Sequence, residues 1–106
     1  MKQSKASIKT HLLMLIKQHR VENPIKAYQI KAKLGISSVK IREIVNELRA
    51  DDNLPICSDS TGYFYARNKA EALHTISQLR SRAKHIHLAA DGILANFKDE
   101  DQLSLI

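Results

Sequence analysis

Residues 27–49 read AYQIKAKLGISSVKIREIVNELR, and the spacing of their apolar side chains decides the fold. Ala27, Ile30 and Leu34 recur in steps of three and four, the period of one helix face. Gly35 ends that run, because glycine takes the left-handed conformation that closes a helix at little steric cost. A second run starts after Ile36, with Ser37 or Ser38 as the N-cap whose hydroxyl accepts from the first turn's N–H groups. Its apolar stripe is Ile41, Ile44, Val45 and Leu48. About three residues separate the two patterns, the spacing of a helix-turn-helix.

Upstream, Ile8, Leu12, Leu15 and Ile16 fall at i, i+4, i+7 and i+8 and predict a first helix, with Ser4 or Ser7 as its cap. Lys17, His19 and Arg20 stand at its negative end. Pro24 excludes helix at Asn23 and predicts an extended chain through Ile25. Downstream, residues 54–67 read LPICSDSTGYFYAR. Two strand-like runs, 54–58 and 63–66, flank Asp59-Ser60-Thr61-Gly62, which reads as a hairpin turn. Three helices and a hairpin in this order describe a winged helix, a mainly α fold with a small β-hairpin.

A long helix is expected next. Asn68 and Glu71 stand at capping-box spacing. Beyond them Ile76, Leu79, Ala83, Ile86, Ala90, Ile93 and Phe97 alternate in steps of three and four, a heptad pattern. Such a stripe on a single helix needs a partner: a second copy, making a homodimer, or the chain's own first helix. Gly92 weakens the helix by roughly 1 kcal/mol and is the expected point of fraying. The expected organisation is a winged-helix unit over 1–67, a dimerisation helix over 68–98, and an acidic tail over 99–106.

The stretch from Asn23 to Ile86 resembles the winged-helix proteins of bacteriophages and mobile elements. The matching features are KLGIS before the recognition helix, REIVNELR within it, LPICS…GYFYAR as the wing, and LRSRAKHI in the following helix. The resemblance covers about 60% of the chain. It implies that the third helix enters the DNA major groove while the wing lies along the backbone or minor groove. Opposite the buried stripe that helix carries Val39, Glu43, Asn46, Glu47 and Ala50, with Lys40 and Arg42 on its flanks. Arg42 can donate two hydrogen bonds to a guanine edge, Asn46 can pair with adenine, and Val39 can touch a thymine methyl. Tyr28, Lys31, Ser37 and Ser38 are expected at phosphates, and Thr61 and Tyr63 on the wing are weaker candidates. Glu43 and Glu47 oppose phosphate unless a base amino group or a lysine satisfies each. Many winged helices bind protein instead.

Charge distribution supports a polyanionic partner. The chain of 106 residues has a net charge of +6. Residues 1–50 hold eleven Lys/Arg against three Asp/Glu, whereas residues 51–106 hold six against eight. A basic first half beside a mildly acidic second half suggests that the first half meets a polyanion, the plainer alternative being a solvated face with excess lysine. A chemical centre has little support. His85 and His87 are two apart, so on a helix they face different sides, and the other histidines lack ligands at metal spacing. Cys57 is the single cysteine, which excludes an internal disulfide and suits a reducing cytoplasm; the phage resemblance implies a bacterial host cytoplasm, at the nucleoid. It reads as a small buried residue. No glycine-rich nucleotide loop occurs. No enzyme activity, metal or cofactor is expected. No apolar run reaches the roughly 20 residues a membrane span requires, and the first residues do not read as a secretory signal.

The last residues, DEDQLSLI, place three acids before Gln102, Leu103, Ser104, Leu105 and Ile106. These five resemble the pentapeptide with which bacterial replication proteins bind the β sliding clamp. In that pattern glutamine comes first, leucine second, serine or aspartate third, leucine fourth and a bulky apolar residue, most often phenylalanine, fifth. Ile106 is the departure. The resemblance implies that the apolar side chains enter a hydrophobic pocket while the glutamine amide bonds at its rim. The tail also admits a plainer reading, an apolar patch folded onto the long helix. Together these features predict a DNA-binding protein of a phage or mobile element acting in replication. A dimeric transcriptional repressor, or a host-takeover protein that binds only protein, are the alternatives.

Overall fold

The computed structural model describes residues 5–97. Its elements are α1 (Lys5–Lys17), α2 (Ala27–Leu34), α3 (Ser38–Ala50), β1 (Ile56–Asp59), β2 (Gly62–Tyr65) and α4 (Lys69–Ala95). The architecture is mainly helical, with a two-stranded antiparallel hairpin and a long last helix. It divides into two compact units after Thr75, so the first turns of α4 belong with the hairpin.

The first unit is built on the expected stripes. Leu12 and Ile16 of α1, Ile30 of α2, and Ile41, Ile44, Val45 and Leu48 of α3 are buried together with Ile25 and Ile56. Ile8, Leu15 and Leu34 pack at the rim of that cluster. Gly35 has φ +66° and its N–H donates to Lys31 O at 2.8 Å, which ends α2. Ser37 is the N-cap of α3; its Oγ accepts from Lys40 N–H at 3.1 Å. At the other end of α3, Asn53 adopts φ +56°, and Leu54 N–H turns back to Leu48 O at 3.0 Å. Asparagine tolerates that left-handed conformation better than most residues.

β1 and β2 pair from Ile56↔Tyr65 to Asp59↔Gly62, leaving a two-residue turn at Ser60 and Thr61. Asp59 Oδ1 organises the turn by accepting from Thr61 N–H at 2.7 Å, the Thr61 hydroxyl at 2.5 Å and Gly62 N–H at 3.2 Å. Partial burial opposes its charge, but these donors outweigh that and hold its carboxyl below the ordinary range. The first strand starts at Ile56 rather than at residue 54, since Pro55 has no N–H to pair. Side chains alternate across the hairpin. Ile56, Tyr63 and Tyr65 face the three-helix core, while Cys57, Phe64 and Ala66 form a second cluster with Ala72 of α4.

Ile25 does more than run extended. It forms a bridge with Tyr63 through two backbone hydrogen bonds, each 2.8 Å, so a third chain segment flanks the hairpin. The next alternate residue of β2, Tyr65, donates its N–H to His19 O at 3.0 Å. Arg20 Nη1 then donates to Tyr65 O at 3.1 Å, and Lys17 Nζ lies 5.5 Å from the Tyr65 ring centroid. Thr75 fixes the opposite side. Buried to 4% exposure, it accepts from Ser58 N–H at 3.1 Å and donates to Ser58 O at 3.0 Å. This pair of bonds ties the start of α4, which belongs to the first compact unit, to β1.

The capping box at α4 is half formed. Asn68 Oδ1 accepts from Glu71 N–H at 3.0 Å, but the Glu71 carboxylate turns to Arg67 instead of the cap. It accepts from Arg67 N–H at 2.8 Å and from the guanidinium at 3.0 and 2.6 Å. In the second unit α4 continues through Gly92 to Ala95, beyond the expected fraying point, and Asn96 Nδ2 donates to Gly92 O at 3.2 Å.

Three glycine substitutions separate these roles. A Cβ on Gly62 would lie 2.7 Å from the Ile25 carbonyl carbon and closer still to its oxygen, at φ +147°. Gly62→Ala is expected to cost roughly 2–4 kcal/mol in urea unfolding. Gly35→Ala meets open space and is expected to cost about 1–2 kcal/mol through φ alone. Gly92→Ala also meets nothing, and should strengthen helix there by about 1 kcal/mol, read as slower amide exchange around residue 92.

Candidate nucleic-acid interface

Burial of Ile41, Ile44, Val45 and Leu48 turns the remainder of α3 outward. Val39 is 55% exposed, and Arg42, Glu43 and Asn46 are exposed with it. Val39, Arg42 and Asn46 are spaced by three and four, so they line one helix face. On α2, Tyr28 is 66% exposed, and Lys31 and Lys33 are exposed nearby in sequence. Lys33 and Lys26 are additions to the sequence-derived set; the uneven charge of the chain was their only signal.

The remaining candidates are placed less openly. Ser37 Oγ serves the α3 cap, and Ser38 and Lys40 are half-buried. Thr61 commits its hydroxyl proton to Asp59, and Tyr63 is half-buried against the core. An open cleft of about 450 Å³ lies between the hairpin turn and the start of α2, lined in part by Lys26, Ser60 and Thr61.

The cations of the first half divide into two groups. Arg49 spends its guanidinium on Ile56 O at 2.7 Å and Ser58 Oγ at 3.1 Å, bracing α3 against β1. Arg20 and Lys17 are held at Tyr65 as described. Lys9 pairs with Asp52 at 3.0 Å and with Glu47 at 3.9 Å, and Lys40 pairs with Glu43 at 3.5 Å. Both acids on the outer side of α3 therefore have a lysine beside them. Among the described residues, Lys26, Lys31, Lys33 and Arg42 have no acidic partner.

Among the described residues no group of His, Cys, Asp and Glu is placed to hold a metal ion, and no helix is long and apolar enough to cross a membrane. Cys57 is buried, and burial pushes its thiol pKa up, which disfavours the reactive thiolate. The clamp-like pentapeptide, residues 102–106, lies outside the described residues. Of the heptad residues, Ile76 is half-buried, while Leu79, Ala83, Ile86, Ala90, Ile93 and Phe97 are exposed.

Arg67 joins Glu71 to Glu22, tying the start of α4 to the loop before α2. The Arg67 hydrogen bond holds both glutamate pKa values below the ordinary 4.5 and raises that of Arg67 itself. A carboxylate with a depressed folded pKa contributes stability above its unfolded pKa and loses it as pH falls through the folded one. Urea midpoints should therefore fall faster below pH 4.5 in the wild type than in Arg67→Met. The two proteins should converge at the acid end.

Comparison with protein-family models, curated proteins and solved structures finds no match to this chain, so the reading of this surface rests on its own residues.

Proposed function

We propose that this chain is a winged-helix protein of a phage or mobile element. It binds double-stranded DNA through the exposed side of α3 and engages the bacterial sliding clamp through residues 102–106. It works as a binding protein, not an enzyme, beside the replication machinery in the host cytoplasm. The observation that carries the DNA reading is the outer side of α3. It presents Val39, Arg42 and Asn46 in line, and each of its acids has a lysine at hand.

In this reading α3 lies in the major groove. Arg42 addresses a guanine edge, Asn46 an adenine and Val39 a thymine methyl. Lys31 and Lys33 on α2, with Lys26 beside the cleft, meet phosphates and set the register. Phosphate contact releases counterions, so salt dependence follows the number of lysines engaged. The tail reading rests on Gln102, Leu103, Ser104 and Leu105, which match the clamp-binding pattern, with Ile106 filling the bulky last position. Glu43 and Glu47 also favour a second reading, in which α3 faces a basic protein surface and DNA is not bound.

Titration of labelled duplex DNA at several salt concentrations separates the two. Arg42→Ala is expected to weaken a preferred site by about 1–3 kcal/mol and to relax its sequence preference. Lys31→Ala with Lys33→Ala should weaken all duplexes alike and reduce the log–log salt slope by roughly 2. No binding even at low salt would leave the protein-only reading standing. For the tail, purified clamp is incubated with the full chain and with a chain ending at Asp101. Capture by the full chain alone is the expected result, and equal capture or none removes the clamp from the proposal.

A further inference from the structure

From Ile76 to Phe97 the second unit is helix, then turn, and on its heptad stripe Ile86 and Ile93 are each about two-thirds exposed, with Leu79 exposed beside them. We propose that this segment pairs with a second copy of itself in antiparallel orientation, about a twofold axis between Lys84 and His85. The inference stands on α4 alone and does not depend on the nucleic-acid reading.

The size pattern along the seam selects the orientation. Ile76, Ala83 and Ala90 occupy one heptad position, and Leu79, Ile86 and Ile93 the other. A parallel pair in register stacks like on like. It would face Ala83 with the partner's Ala83 and Ala90 with the partner's Ala90, next to layers of Ile86 and Ile93 with their own copies. Narrow and wide layers then alternate, and no single helix spacing fills both. The antiparallel pair crosses the two positions. Ala83 meets the partner's Ile86, Ala90 meets the partner's Leu79, and Ile76 meets the partner's Ile93. Each central layer then joins one small and one large side chain, and twofold symmetry repeats the set.

The helix end selects the register. Sliding by one heptad would need Phe97 opposite the partner's Leu79, but α4 ends at Ala95. The chosen register keeps all six layers between Ile76 and Ile93, inside the helix.

Charge points the same way. Arg80, Arg82 and Lys84 lie in the first half of this segment, and Asp91 is its one acid among the described residues. A parallel pair sets the two basic clusters level with each other. The antiparallel pair offsets their centres by roughly 7 Å along the axis, close to a Debye length at physiological salt. Asp91 then falls within one helical turn of the partner's Arg80. Opposed helix dipoles favour the same arrangement.

Light scattering of the full chain and directed disulfides test this together. The wild type should elute with twice the 12.0 kDa mass of one chain, and Ile86→Asp should elute as one chain with unchanged unfolding of the first unit. In a Cys57→Ala background, chains carrying Ala83→Cys and Ile86→Cys are mixed and oxidised. The expected product links Ala83→Cys of one chain to Ile86→Cys of the other, while Ala83→Cys alone stays unlinked. Self-linking of Ala83→Cys, a single-chain mass at about 100 µM, or a mass above two chains overturns the proposal.

Discussion

The two backbone hydrogen bonds between Ile25 and Tyr63 are what the first unit is assembled around. They hold β2 against the chain that leads into α2, and they leave room at Gly62 for backbone alone. With Tyr63 fixed, the period of the strand turns Tyr65 toward the end of α1 and Phe64 to the opposite face. One face of the hairpin then closes the three-helix core. The other receives Ala72 and the Thr75 hydroxyl, which meets both backbone groups of Ser58. A hairpin alone is marginal in water. Here each strand is secured by partners from distant parts of the chain, and α3 inherits its orientation from that frame through Arg49.

Net charge overstates the basic surface this protein offers to a polyanion, because many of its cations are already engaged within the fold. The basic first half reads as one broad positive surface in the sequence. Five of its described cations are engaged: Lys9 and Lys40 with carboxylates, Arg20 and Arg49 with backbone carbonyls, and Lys17 with an aromatic ring. Among the described residues, the cations of the first half left without such a partner are Lys26, Lys31 and Lys33 around α2, and Arg42 on α3. Exposed ion pairs are worth little individually, so Lys9 and Lys40 remain exchangeable. Approach of a phosphate would compete with Glu47 and Glu43 for them.

Local signals were legible in the sequence and distant ones were not. Apolar spacing located α1, α2 and α3 and named the buried residues Leu12, Ile16, Ile30, Ile41, Ile44, Val45 and Leu48, because burial of a helix follows its period. Gly35 and the Asp59 turn declared themselves by residue type. The Ile25 bridge was not legible: Pro24 announces extended chain but says nothing of what it pairs with. The same holds for Thr75, an ordinary helix residue until Ser58 is placed beside it. Glu71 had the right spacing for a capping box, but Arg67 competes for its carboxylate with a charged donor, and the charged bond wins. On the candidate surface, α3 was readable because its outer face is the complement of its stripe. The inward setting of Tyr63 was not, since strand period alone leaves open which face meets the core.

The second unit poses a different physical problem. An isolated helix of this length is held only weakly by its own backbone bonds, and the one formed by residues 76–95 leaves several large aliphatic side chains in water. Fully burying each is worth about 1.5–3 kcal/mol, so the solvated state of this helix has a strong incentive toward any complementary apolar surface. Its alanines make most surfaces a poor fit, since a flat or uniformly large partner leaves gaps beside Ala83 and Ala90. The complement must be large where this helix is small, and a reversed copy of the same sequence meets that requirement. Under the proposed pairing, formation of this helix and its association would be one equilibrium, and the order of the second unit would rise with protein concentration.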